Sequence, residues 1–579
     1  MADAAITLTL DDGRRLTGKN LLWDHPGAII DAFVDGIDKQ QVVDIWQVHV
    51  RRLMDNLGWQ AEATCYRRFE DGISVAISAP LDALYAACEI NKAAWEMTCA
   101  EIIGTARQES PVQTLDRLRQ AIDEEANPAL LRLIEFAKAH NAPWLWDDDD
   151  FSLGYGASVQ VWPVRALPDP DSIDWQCFKA VPLALVTGTN GKSTSVRILS
   201  QMVQQSGKRC GVTSTDFIRV GDHIIDRGDY SGPGGARMLL RHPDTETAVL
   251  EVARGGILRR GLPVDRVDAA LITNIAEDHL GQYGINTIEA LARAKAVVAK
   301  ALDGGTLVLN ADDPQLVQLA PELNVTKCWF SLNAGNPVLQ VHRGQGGAVC
   351  FLREDPHGEA QLVYIDASVE SEIIAVNDIP MTLKGAARHN IENALGAIGL
   401  AKSLGLDDSS IASALRQFSS SIDDNPGRGN RFEVDGATVI MDFAHNAHSM
   451  NAMATTLANM PAQRKLLMLS MAGDRSDREI AESTRAALAI QPDLLVAADL
   501  EAYLRGREPG EVPRLIADAA VAMGMSAQNI LFSDSPYAGA KLIVEQLQRG
   551  DLALLLALSD REEIIDLLGK SSAQHSDSG

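Results

Sequence analysis

The sequence predicts an α/β protein made of three domains, and three observations lead to this prediction. A chain of 579 residues is too long for one hydrophobic core, since domains usually hold roughly 100–200 residues. From residue 180 onward, short apolar runs alternate with helical patterns, which is typical of a parallel sheet covered by helices. Before that point strands and helices mix irregularly, as in α+β domains. We therefore predict domains at 1–175, 176–425 and 426–570, followed by a disordered tail at 571–579.

The predicted N-terminal α+β domain contains both strand-like and helical segments. The strand-like segments are "ITLTLDDG", "GISVAIS" and "ASVQVWPV", and the helical ones are "DALYAACEINKAAWEMTCAEII" and "TLDRLRQAIDEEANPALLRLIEFAKAH". The proline-rich segment Ala166–Trp175 is predicted to be a linker, because each proline favours extended backbone in the residue before it. The aspartates at Asp147–Asp150 are expected in a solvated loop, with attraction of a cationic polymer as the alternative.

The central domain opens with a candidate phosphate loop, "VTGTNGKSTSVR" at Val186–Arg197. The apolar run Ala180–Val186 predicts a buried strand before it, and the spacing of Ser195–Gly207 predicts a helix after it. A phosphate loop needs small residues, a helix N-terminus, a lysine and a hydroxyl for Mg²⁺, which predicts a P-loop parallel-sheet ATPase domain. The alternative is a glycine-rich turn with a surface lysine. The predicted phosphate-binding residues are Gly188, Thr189, Asn190, Gly191, Lys192, Ser193 and Thr194.

Polar residues follow two further apolar strands of the central domain. Glu251 ends the run "AVLE", and Asn274 ends "LITN" shortly before Asp278 and His279. Ligands of open α/β sheets bind beyond the carboxyl ends of strands, so Glu251 is placed to hold Mg²⁺ directly or through water. A solvent-facing acid is the alternative for Glu251, and a surface or capping role for His279. Lys295 falls on a predicted helix, where a solvated lysine is the ordinary interpretation.

The last predicted domain begins near Asp423–Val434 and again alternates strands with helices. Its strands are predicted at "ATVIMDF", "KLLMLSM", "DLLVAAD" and "LALLLAL". This alternation predicts a C-terminal Rossmann-like α/β domain.

Composition excludes some classes of function. The chain has 78 acidic and 52 basic residues, and its net charge of −26 disfavours nucleic acids and anionic membranes as partners. The seven cysteines are dispersed, which indicates reduced thiols and neither a disulfide framework nor a zinc site. No signal peptide and no run of about 20 apolar residues is visible, so we expect a cytoplasmic protein.

The order of the motifs identifies a family. The segments TGTNGKS, LEVARGG, TNIAEDHL, AK, NADD, RHNIENALGA, RFE, DFAHN and GDR resemble, in this order, the Mur ligase superfamily. Within it, Thr213–Arg237, Leu250–Leu262 and Leu504–Val512 are similar to the ligase half of the cyanophycin synthetases. The resemblance covers the chain from Val181 onward. It implies an ATP-dependent enzyme that joins a carboxylate to an amine.

The resemblance also implies site residues, with ATP and Mg²⁺ as cofactors. The expected catalytic residues are Lys192, Glu251, His279, Lys295 and His445. The expected metal ligands are Ser193, Glu251, His279 and Lys295, the last at a position where many relatives carry a carbamylated lysine. Outside the loop, the expected nucleotide-binding residues are Asn274, Asn390, Asn393, Arg431 and Asp442. Carbamylation of Lys295 is left open, because it needs a neutral amine and not every relative has it.

Two details of the pattern bear on the C-terminal domain. His445 lies in "DFAHNA", where Phe443 and Ala447 replace the tyrosine and proline of most relatives, and the lost proline weakens its assignment. The segment Ala472–Glu479 resembles the loop that faces the incoming amine.

Two features of the central domain have alternative interpretations. Asn390 could instead cap a helix, and the "NADDP" turn could be purely structural.

The predicted function is therefore an ADP-forming ligase of the Mur type that activates a carboxylate as an acyl phosphate. The expected partners are an amino-acid polymer or peptide acceptor and an amino acid amine, with no nucleic acid and no membrane. An ATP-grasp unit would not fit within residues 1–175, so we expect one ligation, with a separate ATP-grasp ligase and a homo-oligomer as further candidates. Residues 1–175 are expected to recognise the acceptor or a partner protein.

Two alternatives remain at this point. One is a folylpolyglutamate-type ligase that adds glutamate to a folate-like acceptor, which "LRGREPGEV" argues against. The other is a non-catalytic nucleotide-binding partner of a separate ATP-grasp ligase. An ATP hydrolysis assay with and without amine separates these interpretations, because a ligase should need both substrates.

Overall fold

The structure is a computed structural model that describes residues 5–106, 109–355, 359–458 and 460–573. Most of the predicted tail, from residue 574 on, lies outside the described residues, whereas residues 571–573 belong to the last helix. Helices and strands are numbered below in chain order.

The N-terminal unit packs an antiparallel sheet against helices. Within its described residues, four strands form this sheet in the order β1-β2-β4-β3, and three short strands form a second sheet, β5-β6-β7. The strands are β1 (Thr7–Leu16), β2 (Gly27–Asp35), β3 (Thr64–Phe69), β4 (Gly72–Ser78), β5 (Trp144–Trp146), β6 (Asp150–Leu153) and β7 (Gln160–Pro163). The helices are α1 (Lys39–Asn56), α2 (Leu84–Ile103), α3 (Pro111–Glu125) and α4 (Pro128–Ala139). The second helical segment of the sequence forms two helices, because Asn127 caps α4 and Pro128 starts it.

The central unit is a sheet whose middle strands are parallel. In the part of the chain that the structure describes, eleven strands run in the order β11-β10-β9-β12-β8-β13-β14-β15-β16-β17-β18. The strands are β8 (Leu183–Thr187), β9 (Cys210–Thr213), β10 (Phe217–Val220), β11 (His223–Arg227), β12 (Thr247–Glu251), β13 (Val267–Ile272), β14 (Leu302–Asn310), β15 (Thr326–Ser331), β16 (Ala348–Glu354), β17 (Ala360–Asp366) and β18 (Val369–Ala375). The helices are α5 (Lys192–Gln205), α6 (Pro233–Leu240), α7 (Arg254–Arg260), α8 (Ile288–Lys295), α9 (Pro314–Leu319), α10 (Pro337–Gly344), α11 (Arg388–Ser403) and α12 (Asp408–Gln417).

Three neighbouring parallel strands bring the predicted site residues to one edge of this sheet. β8 lies between β12 and β13, with Val186 opposite Glu251 and Thr187 opposite Ile272. The carboxyl ends of the three strands therefore adjoin, as expected for a ligand site of an open sheet. The buried apolar runs of these strands explain why they form the centre of the core.

The C-terminal unit is a smaller sheet that is parallel except at one edge. Among its described residues, six strands run in the order β19-β20-β24-β21-β22-β23, with β19 antiparallel to β20. The strands are β19 (Arg428–Val434), β20 (Ala437–Asp442), β21 (Lys465–Ser470), β22 (Leu494–Ala498), β23 (Ile530–Ser533) and β24 (Leu552–Leu556). The helices are α13 (Ala447–Ala458), α14 (Asp477–Ala487), α15 (Glu511–Ala522), α16 (Pro536–Gln546) and α17 (Arg561–Ala573). The predicted fold class, an α+β unit followed by two α/β units, is confirmed.

The aspartate run connects two units. Asp147 pairs with Arg237 of α6 at 3.3 Å and with Arg241, the residue directly after α6, at 2.7 Å. Asp148 pairs with Arg15 of β1 at 2.7 Å while its side chain stays half exposed. The expectation of a solvated loop is therefore wrong for Asp147, which ties the N-terminal unit to the central one. These partners could not be predicted from the sequence, because they lie far from Asp147 along the chain.

The described helices and the cysteines bear on membrane insertion and on disulfide formation. None of the described helices combines the length and the apolarity that crossing a bilayer requires. All seven cysteines are free; three of them are buried (Cys210, Cys328 and Cys350) and Cys177 is exposed.

Arg197 of α5 is a buried cation that joins the central unit to the segment leading into β19. Its guanidinium forms an ion pair with Asp216 and donates to Asn425 Oδ1 at 2.7 Å. Only 1% of its side chain is exposed, and burial lowers its pKa to about 10. Arg561 of α17 also contacts Asp216, at 3.0 Å. This network holds α5, which starts at the phosphate loop, against the C-terminal unit.

We expect Arg197→Met to destabilise the protein by about 3–5 kcal/mol, because it leaves Asp216 and Asn425 without their buried partner. The midpoint of urea unfolding measures this. Arg209→Met is the matched control: its pair with Asp244 is more than half exposed on both sides and should contribute less than about 1 kcal/mol. Equal shifts of the two midpoints would contradict the assignment.

Candidate active site

A cavity of about 600 Å³ lies where the central and C-terminal units meet. Its walls come from segments that are far apart in sequence. The predicted residues that line it are Thr189, Asn190, Gly191, Lys192, Ser193, Thr194, Glu251, Asn274, His279, Lys295, Asn390, Asn393, Asp442 and His445. The structure thus brings nearly all of the predicted site residues together around one space.

The phosphate loop is shaped by two glycines. Gly191 has a φ of +82° and precedes α5, and a Cβ there would lie 2.1 Å from Asn393 Oδ1. Gly188 has a φ of +144°, and a Cβ there would lie 1.9 Å from Thr273 Oγ1. Both positions therefore require glycine, for the backbone angle and for the close neighbour. The loop ends at a helix N-terminus, where free N–H groups favour an anion.

The residues after β13 hold the loop in place. Asn274 accepts from the Asn190 N–H at 3.0 Å through Oδ1, and its carbonyl accepts from the Thr189 N–H at 2.9 Å. Thr273 Oγ1 donates to the Asn190 carbonyl at 2.6 Å. Asn274 therefore shapes the loop by accepting hydrogen bonds from the loop backbone, which explains why Asn274 borders the cavity.

Two lysines donate hydrogen bonds to backbone carbonyls of the loop. Lys192 Nζ donates to the Thr189 carbonyl at 2.9 Å, and its side chain borders the cavity. Lys295 is only 4% exposed, and its Nζ donates to the Gly188 carbonyl at 2.7 Å. Burial, reinforced by the charge of Lys192, holds the pKa of Lys295 well below its ordinary value. The neutral amine that carbamylation requires is thus favoured.

Glu251 is a buried carboxylate without a hydrogen-bonding partner. Only 2% of the residue is exposed, and neither carboxylate oxygen has a hydrogen bond to a described residue. Burial raises its pKa, while the charge of Lys192 and the hydroxyl of Ser193 act in the opposite direction. Since a buried, unsatisfied carboxylate is costly, this position fits a bound cation.

An ionic cluster surrounds Asp278, which also borders the cavity. Arg475 donates to Asp278 Oδ1 at 2.7 Å, and the rings of His279 and His445 each place Nε2 3.8 Å from the Asp278 carboxylate. Although burial opposes ionisation, these neighbours hold the pKa of Asp278 well below its ordinary value. Burial lowers the pKa of His279 to about 4, so its imidazole is neutral and able to bind a metal.

The start of α11 forms one end of the cavity. Asn390 Nδ2 donates to the Met381 carbonyl at 2.8 Å, and Asn393 Nδ2 donates to Asn390 Oδ1 at 3.3 Å. His389 and Glu392 border the cavity here as well, and neither was predicted. Asn390 and Asn393 are three residues apart in α11 and therefore lie on one helical face.

Arg431 is placed away from the other predicted residues. Its guanidinium is half exposed and pairs with Glu433 at 2.8 Å, and the cavity lining includes Arg428 instead. Alternation along β19 explains the correction: Asn430 and Phe432 face the core, so Arg431 between them faces solvent. Arg428 lies over the ring of Phe443 at 4.3 Å and opposite Asp442 in the sheet.

Several cavity residues were missed or left unassigned from the sequence. They are Arg254, Asp278, Arg428, Arg475 and Arg505, which lie in or near the cavity. Arg254 stands in the "ARGG" motif, and Asp278 directly precedes His279, so the motifs did contain this signal. Arg428 and Arg505 lie in loops or strand starts whose direction depends on the assembled fold.

Comparison with known proteins agrees with the predicted family. A family model described as the Mur ligase middle domain matches residues 186–401, and one described as the Mur ligase glutamate ligase domain matches residues 427–558. Together these matches cover more than half of the chain. The chain therefore belongs to the Mur ligase family.

Two individual relatives show which members of the family this chain is similar to. The cyanophycin synthetase of Synechocystis sp. is 35% identical over 384 residues, which are 66% of this chain and 41% of that protein. The UDP-N-acetylmuramoyl-L-alanyl-D-glutamate–2,6-diaminopimelate ligase of Chlorobaculum tepidum is 28% identical over 64% of this chain and 70% of its own length. The chain thus spans about two fifths of the cyanophycin synthetase. The prediction of a Mur-type ligase similar to cyanophycin synthetases is confirmed at the level of family.

A solved structure supports the fold. The crystal structure of a bifunctional folylpolyglutamate synthase/dihydrofolate synthase, with Mn, AMPPNP and L-glutamate bound, aligns with this chain with a TM-score of 0.50 at 18% identity. The alignment covers 67% of this chain and 89% of that one. At this identity the likeness concerns the fold.

Glu392 should make stability depend on pH. Burial and the charge of Asp312 raise its pKa to about 7, above the value of 4.5 in the unfolded chain. The folded state therefore binds this proton more tightly, and stability decreases as pH rises from about 4.5 to 7 by up to about 3 kcal/mol. Glu392→Gln should remove this decrease and raise the urea midpoint at pH 8 but not at pH 4. The same pH dependence in the variant would contradict the assignment.

Proposed function

We propose that this protein is an ATP-dependent amide ligase that activates a carboxylate as an acyl phosphate and joins it to the amine of an amino acid. One observation carries the proposal. The phosphate loop, the ends of β12 and β13 and the end of β20 all border a single cavity, although they are separated by long stretches of sequence. The family supports ligation as the reaction class.

ATP with Mg²⁺ is the proposed cofactor pair. The loop amides, Lys192 and the N-terminus of α5 suit a triphosphate. The unpartnered carboxylate of Glu251 and the hydroxyl of Ser193 suit a hard divalent cation, with His279 as a further ligand. When bound, Mg²⁺ would neutralise phosphate charge and polarise the γ-phosphate. We include Lys295 as a ligand only in its carbamylated form, because its free amine donates to the loop.

The residues of the chain bring two anions together. Lys192 and the loop amides would offset the repulsion between the substrate carboxylate and the γ-phosphate. Asn390 and Asn393, next to Gly191, would hold the adenine end of the nucleotide. The C-terminal unit closes the cavity and would exclude water, which otherwise hydrolyses the acyl phosphate.

The amine must lose a proton before it attacks the acyl phosphate. His445 Nδ1 lies 3.1 Å from the Phe443 carbonyl, which assigns the proton of the neutral ring to Nδ1. Nε2 then remains free to accept the proton from the amine, and Asp278 would stabilise the resulting cation. We therefore assign His445 as the base and Asp278 and Arg475 as its electrostatic partners.

The proposed substrates are an amino-acid polymer or peptide as acceptor and an amino acid as amine donor. The relatives named cyanophycin synthetases support a polymer of this kind. The proposal includes a separate ATP-grasp ligase that prepares the acceptor, a cytoplasmic location and assembly into a homo-oligomer. The direct test mixes the protein with ATP, Mg²⁺, a β-aspartyl-arginine primer and single amino acids, and follows phosphate release.

A ligase should release phosphate only when acceptor and amine are both present. Phosphate release driven by a pterin acceptor and glutamate would instead support the folylpolyglutamate alternative. Nucleotide binding without any acceptor-dependent release would support a non-catalytic partner and overturn the proposal.

Lys192→Ala should abolish turnover, with a decrease of at least about a thousandfold, because it removes the cation that faces the transferred phosphoryl group. The matched control is Lys208→Ala, an exposed lysine just beyond α5, which should keep normal rates. Substantial ligation by the Lys192 variant would contradict the scheme.

Gly191→Ala should weaken ADP binding at least about tenfold, because the added methyl group displaces Asn393. Gly207→Ala is the control: its φ of +81° is nearly the same, but nothing lies within 4 Å of the added Cβ. It should cost about 1 kcal/mol of stability and leave ADP affinity unchanged. Calorimetric titration with ADP distinguishes the two variants, and equal affinities would contradict the role of the loop.

A further inference from the structure

The sheet of the N-terminal unit contacts the loop that carries His279. This loop, residues 278–286, leaves β13 and returns to α8. Arg67 of β3 donates to the Tyr283 carbonyl at 2.6 Å and to the Gly284 carbonyl at 2.7 Å. Two successive carbonyls are thus held by one guanidinium from another unit, a charge-assisted arrangement that fixes position and direction.

Neighbouring contacts strengthen this attachment. The guanidinium of Arg14 lies 4.7 Å from the centre of the Tyr283 ring, and Asn286 Nδ2 donates to Asp71 Oδ2 at 3.2 Å. Gly284 has a φ of +63°, and a Cβ there would lie 2.4 Å from the ring of Phe69. Glycine is therefore required where the loop meets the sheet.

The attachment reaches His279 through a short series of contacts. The Gly281 N–H donates to the Ile285 carbonyl at 2.9 Å, and the Ile285 N–H donates to the Gln282 carbonyl at 3.1 Å, which closes a tight turn. Arg254 joins this turn to the site: it donates to Gln282 Oε1 at 2.6 Å and to the His279 carbonyl at 2.5 Å. His279 itself has a φ of +49°, a conformation that non-glycine residues adopt only when their surroundings impose it.

We propose that Arg67 is a positioning residue, through which the N-terminal unit holds the 278–286 loop so that Asp278 and His279 face the cavity. This assignment rests on the proposed function for its catalytic meaning. It also gives the N-terminal unit a role in the reaction that does not require it to bind acceptor or partner. The phosphate loop is anchored separately, by Thr273 and Asn274, so nucleotide binding should not depend on Arg67.

The test compares Arg67→Met with a matched variant of the same unit. Arg51 of α1 also donates to a carbonyl and a hydroxyl, those of Glu62 at 2.7 Å and Thr64 at 3.2 Å, but both partners lie within the N-terminal unit. Arg51→Met therefore removes a similar arginine without touching the loop. Arg67→Lys keeps the charge and can satisfy one carbonyl, and it provides the comparison if Arg67→Met does not fold.

Hydrogen exchange of the amides of residues 277–286 is the primary measurement, and it needs no activity. We expect exchange to be at least about tenfold faster in Arg67→Met, intermediate in Arg67→Lys and unchanged in Arg51→Met. Mn²⁺ binding in the presence of ADP, followed by electron paramagnetic resonance, should weaken about tenfold in Arg67→Met. ADP affinity should stay within about twofold of wild type.

Two results would overturn the proposal: unchanged exchange in Arg67→Met, or equal acceleration by Arg51→Met. A parallel loss of ADP affinity would show general damage and would also overturn it. If wild type binds neither Mn²⁺ nor ADP, the proposed function fails, and the exchange comparison by itself still decides whether Arg67 positions the loop.

Discussion

The structure depends on the contact between the phosphate loop and the end of β13. The loop has a backbone that only glycine permits at two positions, and free amides that no helix or strand satisfies. Thr273 and Asn274 supply the missing partners for the backbone of Thr189 and Asn190. Because β8 and β13 are adjacent parallel strands, this contact follows from the topology of the sheet. The proposed phosphate-binding backbone is therefore held in place by the fold itself.

Burying ionisable groups around the loop costs stability, and the contacts within the fold do not fully offset that cost. Burial holds the pKa of Lys295 well below its ordinary value, and Glu251 has no hydrogen-bonding partner among the residues that the structure describes. A chain selected for stability alone would replace such groups with apolar residues of similar size. Their presence beside one loop supports the proposal that they serve a charged ligand. The same reasoning applies to Asp278, which is surrounded by one arginine and two histidines.

The sequence predicted the fold class, and most of the site residues that it predicted line the cavity, because ordered motifs at strand ends have few structural interpretations. It failed where orientation depends on neighbours in space. Arg431 stands in the expected motif, yet strand alternation turns it to solvent and presents Arg428 instead. Asp147 looked like part of a solvated run and proved to pair with Arg237 of α6 and with Arg241 directly after that helix. The contacts of Arg67 were equally invisible, since a guanidinium that binds two backbone carbonyls leaves no sequence pattern at its partner.

The central and C-terminal units line the cavity, and the N-terminal unit holds the loop that carries His279, so the site is a property of the whole assembly. Asn190 of the phosphate loop forms a reciprocal amide pair with Asn446 of the C-terminal unit, at 3.2 and 3.0 Å, and also contacts His448. In the proposed function, a triphosphate bound to the loop would therefore act directly on the segment that carries His445. On the other side, the 278–286 loop connects the N-terminal sheet to Asp278, which His445 faces. Coupling between the units then needs no long pathway, because the N-terminal and C-terminal units each contact segments of the central unit that border the cavity.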